Sequence, residues 1–134
     1  MSNTEETVFI VDDDTSVRKS LVRLFRSSGM KVEAYASARE FMARMPIGGK
    51  SCVILDLTLP DTTGLELCNQ MVEKGCRLPT IFLTGGSDIV LRAAATEECM
   101  ANVVDFFTKP VDSNVLLKAV RLALQQSVPE PAKS

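Results

Sequence analysis

Cys52-Val53-Ile54-Leu55-Asp56-Leu57-Thr58-Leu59-Pro60-Asp61 is the stretch that decides the fold. Four apolar residues in succession, ending on a carboxylate and a Leu-Pro-Asp turn, read as a strand buried on both faces. Toward the N-terminus, Val8-Phe9-Ile10-Val11 repeats the pattern and stops at Asp12-Asp13-Asp14. Toward the C-terminus, Thr80-Ile81-Phe82-Leu83 ends at Thr84-Gly85-Gly86, and Val103-Val104-Asp105-Phe106-Phe107 is followed by Lys109-Pro110. Residues 31–36 form a weaker strand.

Each strand is followed by a helical pattern. Val17, Leu21, Leu24 and Phe25 recur at helical spacing, with Arg18, Lys19, Arg23 and Arg26 off that stripe and Gly29 ending it. Asp14 and Thr15 read as capping residues. Ser37 with Glu40 makes a capping box for a helix carrying Phe41, Met42 and Met45, closed by Pro46 and Gly48-Gly49. A third helix runs to about Gly75 with Leu65, Cys68, Met71 and Val72 inward, and an alanine-rich fourth spans 88–101. Asp112 or Ser113 caps the last, with Leu116, Ala119, Val120 and Ala123 inward. Five apolar strands alternating with helices predict an α/β fold: a parallel five-stranded sheet covered on both faces, in a doubly wound (βα)5 αβα sandwich. Residues 7–126 make this domain, 1–6 a flexible N-terminus, and 127–134, with two prolines, a tail or the start of a linker.

Composition narrows the chemistry. The chain has 134 residues, 46% of them apolar, enough for one buried core. It contains no histidine, which excludes Ser-His-Asp and Cys-His catalysis and His-ligated zinc sites. A net charge of −2 argues against gripping nucleic acid through the overall field, although a local basic patch remains compatible. No apolar run approaches the ~18 residues of a membrane span, and the polar, acidic N-terminus is unlike a secretory signal. Cys52, Cys68, Cys76 and Cys99 form no CxxC pair and read as reduced packing residues of a cytoplasmic protein.

In such a sheet the functional crevice lies at the carboxyl ends of the strands. Strand one delivers Asp12 and Asp13 there, strand three Asp56, strand four Thr84 and strand five Lys109. Strand two offers only Ala36 and Ser37, as befits an edge strand in the order 2-1-3-4-5. Singly, each polar residue has an ordinary use as a cap, a turn residue or a solvated strand end. Together, three carboxylates at one crevice need a cation, and oxygen ligands suit Mg²⁺ or Mn²⁺. With an ammonium and a hydroxyl beside them they form a receptacle for a phosphoryl group. No Gly-rich phosphate loop or GxGxxG is present, which argues against a bound nucleotide.

The blocks Val11-Asp12-Asp13-Asp14, Asp56 to Gly64, Thr84-Gly85 and Phe106-Phe107-Thr108-Lys109-Pro110 resemble the receiver domain of two-component response regulators, of CheY-like fold. Leu83-Thr84-Gly85 and Val104-Asp105-Phe106 are similar to the FixJ subgroup. The resemblance implies that Asp56 accepts a phosphoryl group from a phosphohistidine of a sensor kinase. It implies that Asp12, Asp13, Asp56 and the Thr58 carbonyl hold Mg²⁺, that Thr84 and Lys109 hold phosphoryl oxygens, and that Lys109-Pro110 is cis. Thr84 and Phe106 would act as the switch, altering an α4-β5-α5 surface. Such a domain is a signalling phosphoacceptor rather than an enzyme, and the absent histidine means that its phosphodonor is another protein.

Two departures accompany the resemblance. Thr84 to Lys109 spans 25 positions, about one helical turn more than usual in that subgroup, which predicts an extension around 92–100. Ala101-Asn102-Val103 stands where Ala-Gly-Ala is common, and Asn tolerates the left-handed conformation. Leu117 and Leu124, with Val128 beyond them, form a second apolar stripe for a homodimer or effector surface. The expected output is transcription through a DNA-binding domain outside this chain, with no nucleic acid bound by the receiver itself. The alternatives are a stand-alone phosphorelay protein and a haloacid-dehalogenase-like phosphatase using Asp12.

Overall fold

The computed structural model describes residues 6–45, 47–85 and 96–126. Its elements are β1 (Glu6–Val11), α1 (Thr15–Ser27), β2 (Lys31–Tyr35), α2 (Ala38–Met42), β3 (Lys50–Asp56), α3 (Gly64–Glu73), β4 (Thr80–Thr84), α4 (Glu97–Ala101), β5 (Val103–Thr108) and α5 (Ser113–Gln126). All strand pairs are parallel, and the sheet order is β2-β1-β3-β4-β5, as the alternation predicts.

Side chains of successive strand residues point to opposite faces, so a continuous apolar run feeds two cores. Val8, Ile10, Cys52, Ile54, Ile81 and Leu83 pack with Leu21 and Phe25 of α1 and Leu116, Val120 and Ala123 of α5. Phe9, Val11, Val53, Leu55 and Phe82 pack on the other face with Phe41, Leu65, Met71 and Cys99 from α2, α3 and α4. Both faces of the central strands β1, β3 and β4 are therefore covered, as their continuous apolar runs require, while the edge strand β2 alternates polar and apolar residues.

Local signals set most helix starts. Asp14 caps α1, its Oδ1 accepting the amides of Ser16 at 2.8 Å and Val17 at 3.3 Å, and Gly29 follows the helix at φ +86°. Ser37 accepts the Glu40 amide at 3.2 Å, while the Glu40 carboxylate takes the Ala36 amide, one residue beyond the usual capping-box partner. Asp112 caps α5 through the amides of Asn114 and Val115.

Other details depart from sequence expectation. Leu67 is buried on α3, whereas Val72 is only half-buried, because α3 packs against both the sheet and α4. Of the helix expected over 88–101, the described part is Glu97–Ala101, and 86–95 lie outside the described residues. Asn102 sits at φ −95°, so this turn needs no left-handed residue.

The β2 edge carries a polar cluster. Arg44 donates from Nε to Glu33 Oε1 at 2.7 Å and from Nη2 to Oε2 at 3.2 Å, and its guanidinium lies 5.6 Å from the centre of the Phe9 ring. Tyr35 donates its hydroxyl to the same Glu33 Oε1 at 2.6 Å. Burial and the Glu33 carboxylate push the Tyr35 phenol up to about 12 from an ordinary 10.0. The folded value lies above the unfolded one, so this contact's contribution to stability is intact below pH 10 and vanishes as pH rises through about 12. Tyr35 is the chain's one tyrosine and there is no tryptophan. Alkaline difference absorbance should therefore give a single phenolate transition near 12 in native protein; a midpoint at the ordinary value would show that the contact is absent in solution.

Candidate phosphoryl-accepting site

Parallel register brings the polar residues to one edge of the sheet. Val11↔Leu55, Asp56↔Leu83 and Thr84↔Thr108 are neighbours, so the residues that end or follow β1, β3, β4 and β5 converge. Backbone bonds continue past the strands: Leu57 donates to Leu83 O at 2.9 Å and Lys109 to Thr84 O at 2.8 Å.

At the centre, Lys109 Nζ lies 3.0 Å from Asp12 Oδ2 and 3.0 Å from Asp56 Oδ2. Asp12 and Asp56 are 1% and 6% exposed, whereas Asp13 is open to solvent. Asp56 Oδ1 accepts the Thr58 amide at 3.0 Å, and Asp12 Oδ1 accepts the Asp14 amide at 2.9 Å. Burial pushes the Asp56 carboxyl up; the Thr58 amide and Lys109 pull it back, and the Asp12 charge adds to the rise, leaving it above the ordinary carboxylate range. Burial alone would lower the Lys109 ammonium, but the two aspartates outweigh it and hold it above its usual value. The Lys109–Pro110 bond is cis.

Carboxylate oxygens of Asp12, Asp13 and Asp56 lie within 4.8 Å of one another. Asp12 Oδ2 is buried without a hydrogen-bond partner, despite its ion contact with Lys109. An oxygen in that condition, in an all-oxygen set, fits a hard divalent cation.

Thr84 ends β4 half-buried. Phe106 on β5 is half-buried and stacks on Phe82, with ring centroids 5.0 Å apart and 22° between planes. The stripe assigned to Leu117 and Leu124 needs correction. Leu124 is 1% exposed and belongs to the α1/α5 core, and Leu117 packs partly against it. Leu116, Val120, Ala123 and Leu124 recur at i, i+4, i+7 and i+8, which is one core face rather than two. The large apolar residues that α5 does expose are Val115, at 48%, and Leu122, at 51%. Val128 lies outside the described residues.

Three contributors escaped the sequence reading. Arg18, a charge off the apolar stripe of α1, donates from Nη1 to Asp12 O at 2.8 Å and from Nη2 to Thr15 Oγ1 at 3.2 Å, tying α1 to the acidic loop. Asp61, read only as a turn residue, accepts the Ala38 and Arg39 amides at 3.2 and 2.9 Å, so the loop after Asp56 caps α2. Gly64 donates to Leu57 O at 2.8 Å, and a Cβ there would overlap the Asp56 carbonyl oxygen. Arg18 had a local signal, lying one turn into the helix behind three aspartates; Asp61 acts across a long sequence separation and had none.

A parallel αβα domain with a carboxylate triad and a lysine at the strand ends defines a class of phosphoryl-accepting signalling modules. The model of the response regulator receiver domain matches residues 8–121. The chain belongs to that family. It is 38% identical over 125 residues to the response regulator protein TodT of Pseudomonas putida, covering 93% of this chain and 54% of TodT. It is 34% identical over 125 residues to the transcriptional regulatory protein FixJ of Rhizobium meliloti, covering 93% and 60%. Among solved structures, the response regulator StyR superposes with a TM-score of 0.82 at 34% identity, covering 92% of this chain and 61% of that one. FixJ-N superposes with 0.80 at 32% identity, covering 96% and 98%. The chain spans little more than half the length of the curated relatives it matches. It is a receiver of the two-component type, and membership of this family sets aside the haloacid-dehalogenase reading. No helix among the described residues is long and apolar enough to cross a membrane.

Proposed function

We propose that Asp56 takes the phosphoryl group from a phosphohistidine of a cognate sensor kinase and that the domain passes the event to its α4-β5-α5 surface. The observation that carries this reading is the anchoring of Asp56, gripped at one oxygen by the Thr58 amide and at the other by Lys109. Positioning of this kind removes much of the entropic cost of an in-line attack. An Asp56 oxygen bonds to phosphorus as the phosphorus–nitrogen bond to the donor imidazole breaks, and the imidazole stays on the kinase. Lys109 and the Thr84 hydroxyl offset charge on the phosphoryl oxygens.

Asp12, Asp13, Asp56 and the Thr58 carbonyl would hold Mg²⁺, with Mn²⁺ as substitute; the ion supplies positive charge against the phosphoryl oxygens. Thr84 and Phe106 act as the switch, phosphorylation favouring one of two packings of the same residues. The domain is not an enzyme acting on a separate substrate. It works in the cytoplasm and leaves nucleic-acid binding to an output domain. That domain, joined through a linker beginning at 127–134, controls transcription, a reading supported by relatives named as transcriptional regulators and by their greater length. Val115 and Leu122, exposed beside β5, are the residues we assign to a homodimer contact through α4-β5-α5.

Incubation with acetyl phosphate in Mg²⁺ buffer, then peptide mapping of the trapped acyl phosphate, tests the site assignment. The label is expected on Asp56 and lost in Asp56→Asn. A label on Asp12 would overturn the assignment.

A further inference from the structure

The phosphoryl site uses none of the four cysteines, and they are not equivalent. Cys52 is buried on β3 in the α1/α5 core. Cys68 of α3, Cys76 of the loop after α3 and Cys99 of α4 belong instead to the opposite core, where Cys68 and Cys99 are fully buried and Cys76 is half-buried. The Cys68 thiol donates to the Cys99 carbonyl oxygen at 3.9 Å, which sets the two cysteines side by side in the same buried core. The same two helices are pinned one residue along: Asn69 Oδ1 accepts both the amide and the hydroxyl of Thr96, at 3.2 and 3.1 Å. Thr96 in turn caps α4 by accepting the Cys99 amide at 3.0 Å. The pairing of Cys68 with Cys99 is therefore held by the surrounding hydrogen bonds, although 31 residues separate them.

We propose that Cys68 and Cys99 form an oxidisable dithiol that closes to a disulfide between α3 and α4 under peroxide. Peroxide is small enough to reach a buried thiol during local opening. The Cys99 sulfur attacks one peroxide oxygen, forming a sulfur–oxygen bond as the oxygen–oxygen bond breaks. The other peroxide oxygen leaves as water with the Cys99 thiol proton. Cys68 then attacks the sulfenic sulfur, forming the sulfur–sulfur bond and expelling the sulfenic oxygen as a second water that carries the Cys68 proton. Two thiols and one hydrogen peroxide give one disulfide and two waters. Attack by Cys99 agrees with the mutual influence of the two neighbouring thiols, which lowers the Cys99 thiol against the opposing effect of burial and raises that of Cys68. A disulfide in a reducing compartment is a transient, signal-bearing one.

The consequence for signalling rests on the function proposed above. Between Thr84 and Phe106 the chain passes through α4, so a covalent tie from α4 to α3 would restrain the path between the two switch residues. Oxidation would then hold the receiver in one packing whatever the state of Asp56.

The test treats the whole chain with hydrogen peroxide and maps its peptides without reduction. We expect a monomer lighter by two hydrogens, with Cys68 joined to Cys99 and the free thiols restored by dithiothreitol. Cys76→Ser and Cys52→Ala should retain the link, and Cys68→Ala and Cys99→Ala should each lose it; the wild-type map decides the matter should either alanine variant fail to fold. A map in which Cys68 and Cys99 stay free, or in which only Cys76-linked dimers form, would overturn the dithiol. Hydrogen exchange with beryllofluoride then tests the consequence: its effect on β5 should appear in reduced protein, disappear on oxidation and return with dithiothreitol. An effect undiminished by oxidation overturns the lock. No effect even in the reduced protein would count against the proposed switch, while the peptide map would still decide the dithiol.

Discussion

Lys109→Ala should slow phosphorylation of this receiver by acetyl phosphate on the order of 10²-fold, the usual cost of removing one preorganised charge aimed at a transferring group. The lysine sits 3.0 Å from an oxygen of both Asp12 and Asp56. Its loss removes the cation that offsets developing charge and leaves two buried carboxylates facing each other. Burial and the Asp12 charge already raise the Asp56 carboxyl, and without Lys109 it should rise further and become a poorer nucleophile. A second measurement separates this from general damage. Without divalent cation the variant should melt below wild type, and added Mg²⁺ should raise its melting temperature more than that of wild type, because the ion replaces the missing positive charge. An unchanged transfer rate would remove Lys109 from the site.

Gly64→Ala should damage stability and phosphorylation together. A Cβ at this position would overlap the Asp56 carbonyl oxygen and lie 3.1 Å from both the Asp56 carbonyl carbon and Leu57 Cα. All three neighbours are backbone at the end of a central strand, so none can swing aside as a side chain can. Overpacking of this kind costs about 1–3 kcal/mol, and relief of the overlap must shift the strand end that carries the phosphoacceptor. Chemical denaturation and acetyl phosphate labelling should both report the loss. Gly48→Ala is the control: nothing lies within 4 Å of its Cβ position, and it should leave both readings near wild type. Equal behaviour of the two variants would mean that α3 can retreat from β3.

The glycine also marks how far local reading reaches. Gly64 stands in a stretch recognisable as a family block, yet the reason for a glycine there is the approach of α3 to β3. That approach exists only once both elements are packed. Asp61 is similar: its local appearance is a turn, and its partners on α2 lie 23 and 22 residues away. Leu124 shows the opposite error. Placing it on a second stripe treated the core face of α5 as narrow, whereas α5 lies between the sheet and α1 and buries a broader arc.

The sequence by itself determined four apolar strands and a weaker edge strand, the helices between them and the polar residues that leave β1, β3, β4 and β5. Those features are local, written in hydrophobic period and in the residues that cap and end elements. A right-handed parallel sheet then leaves one economical way to bring Asp12, Asp56, Thr84 and Lys109 together. The tertiary structure decided what depends on distance between segments far apart in the chain. It determined that Lys109 bridges Asp12 and Asp56, that Arg18 and Asp61 brace the loops, that Gly64 has no room for a side chain, and that Cys68 meets Cys99. Periodicity records which face of an element is buried; only packing records what that face touches.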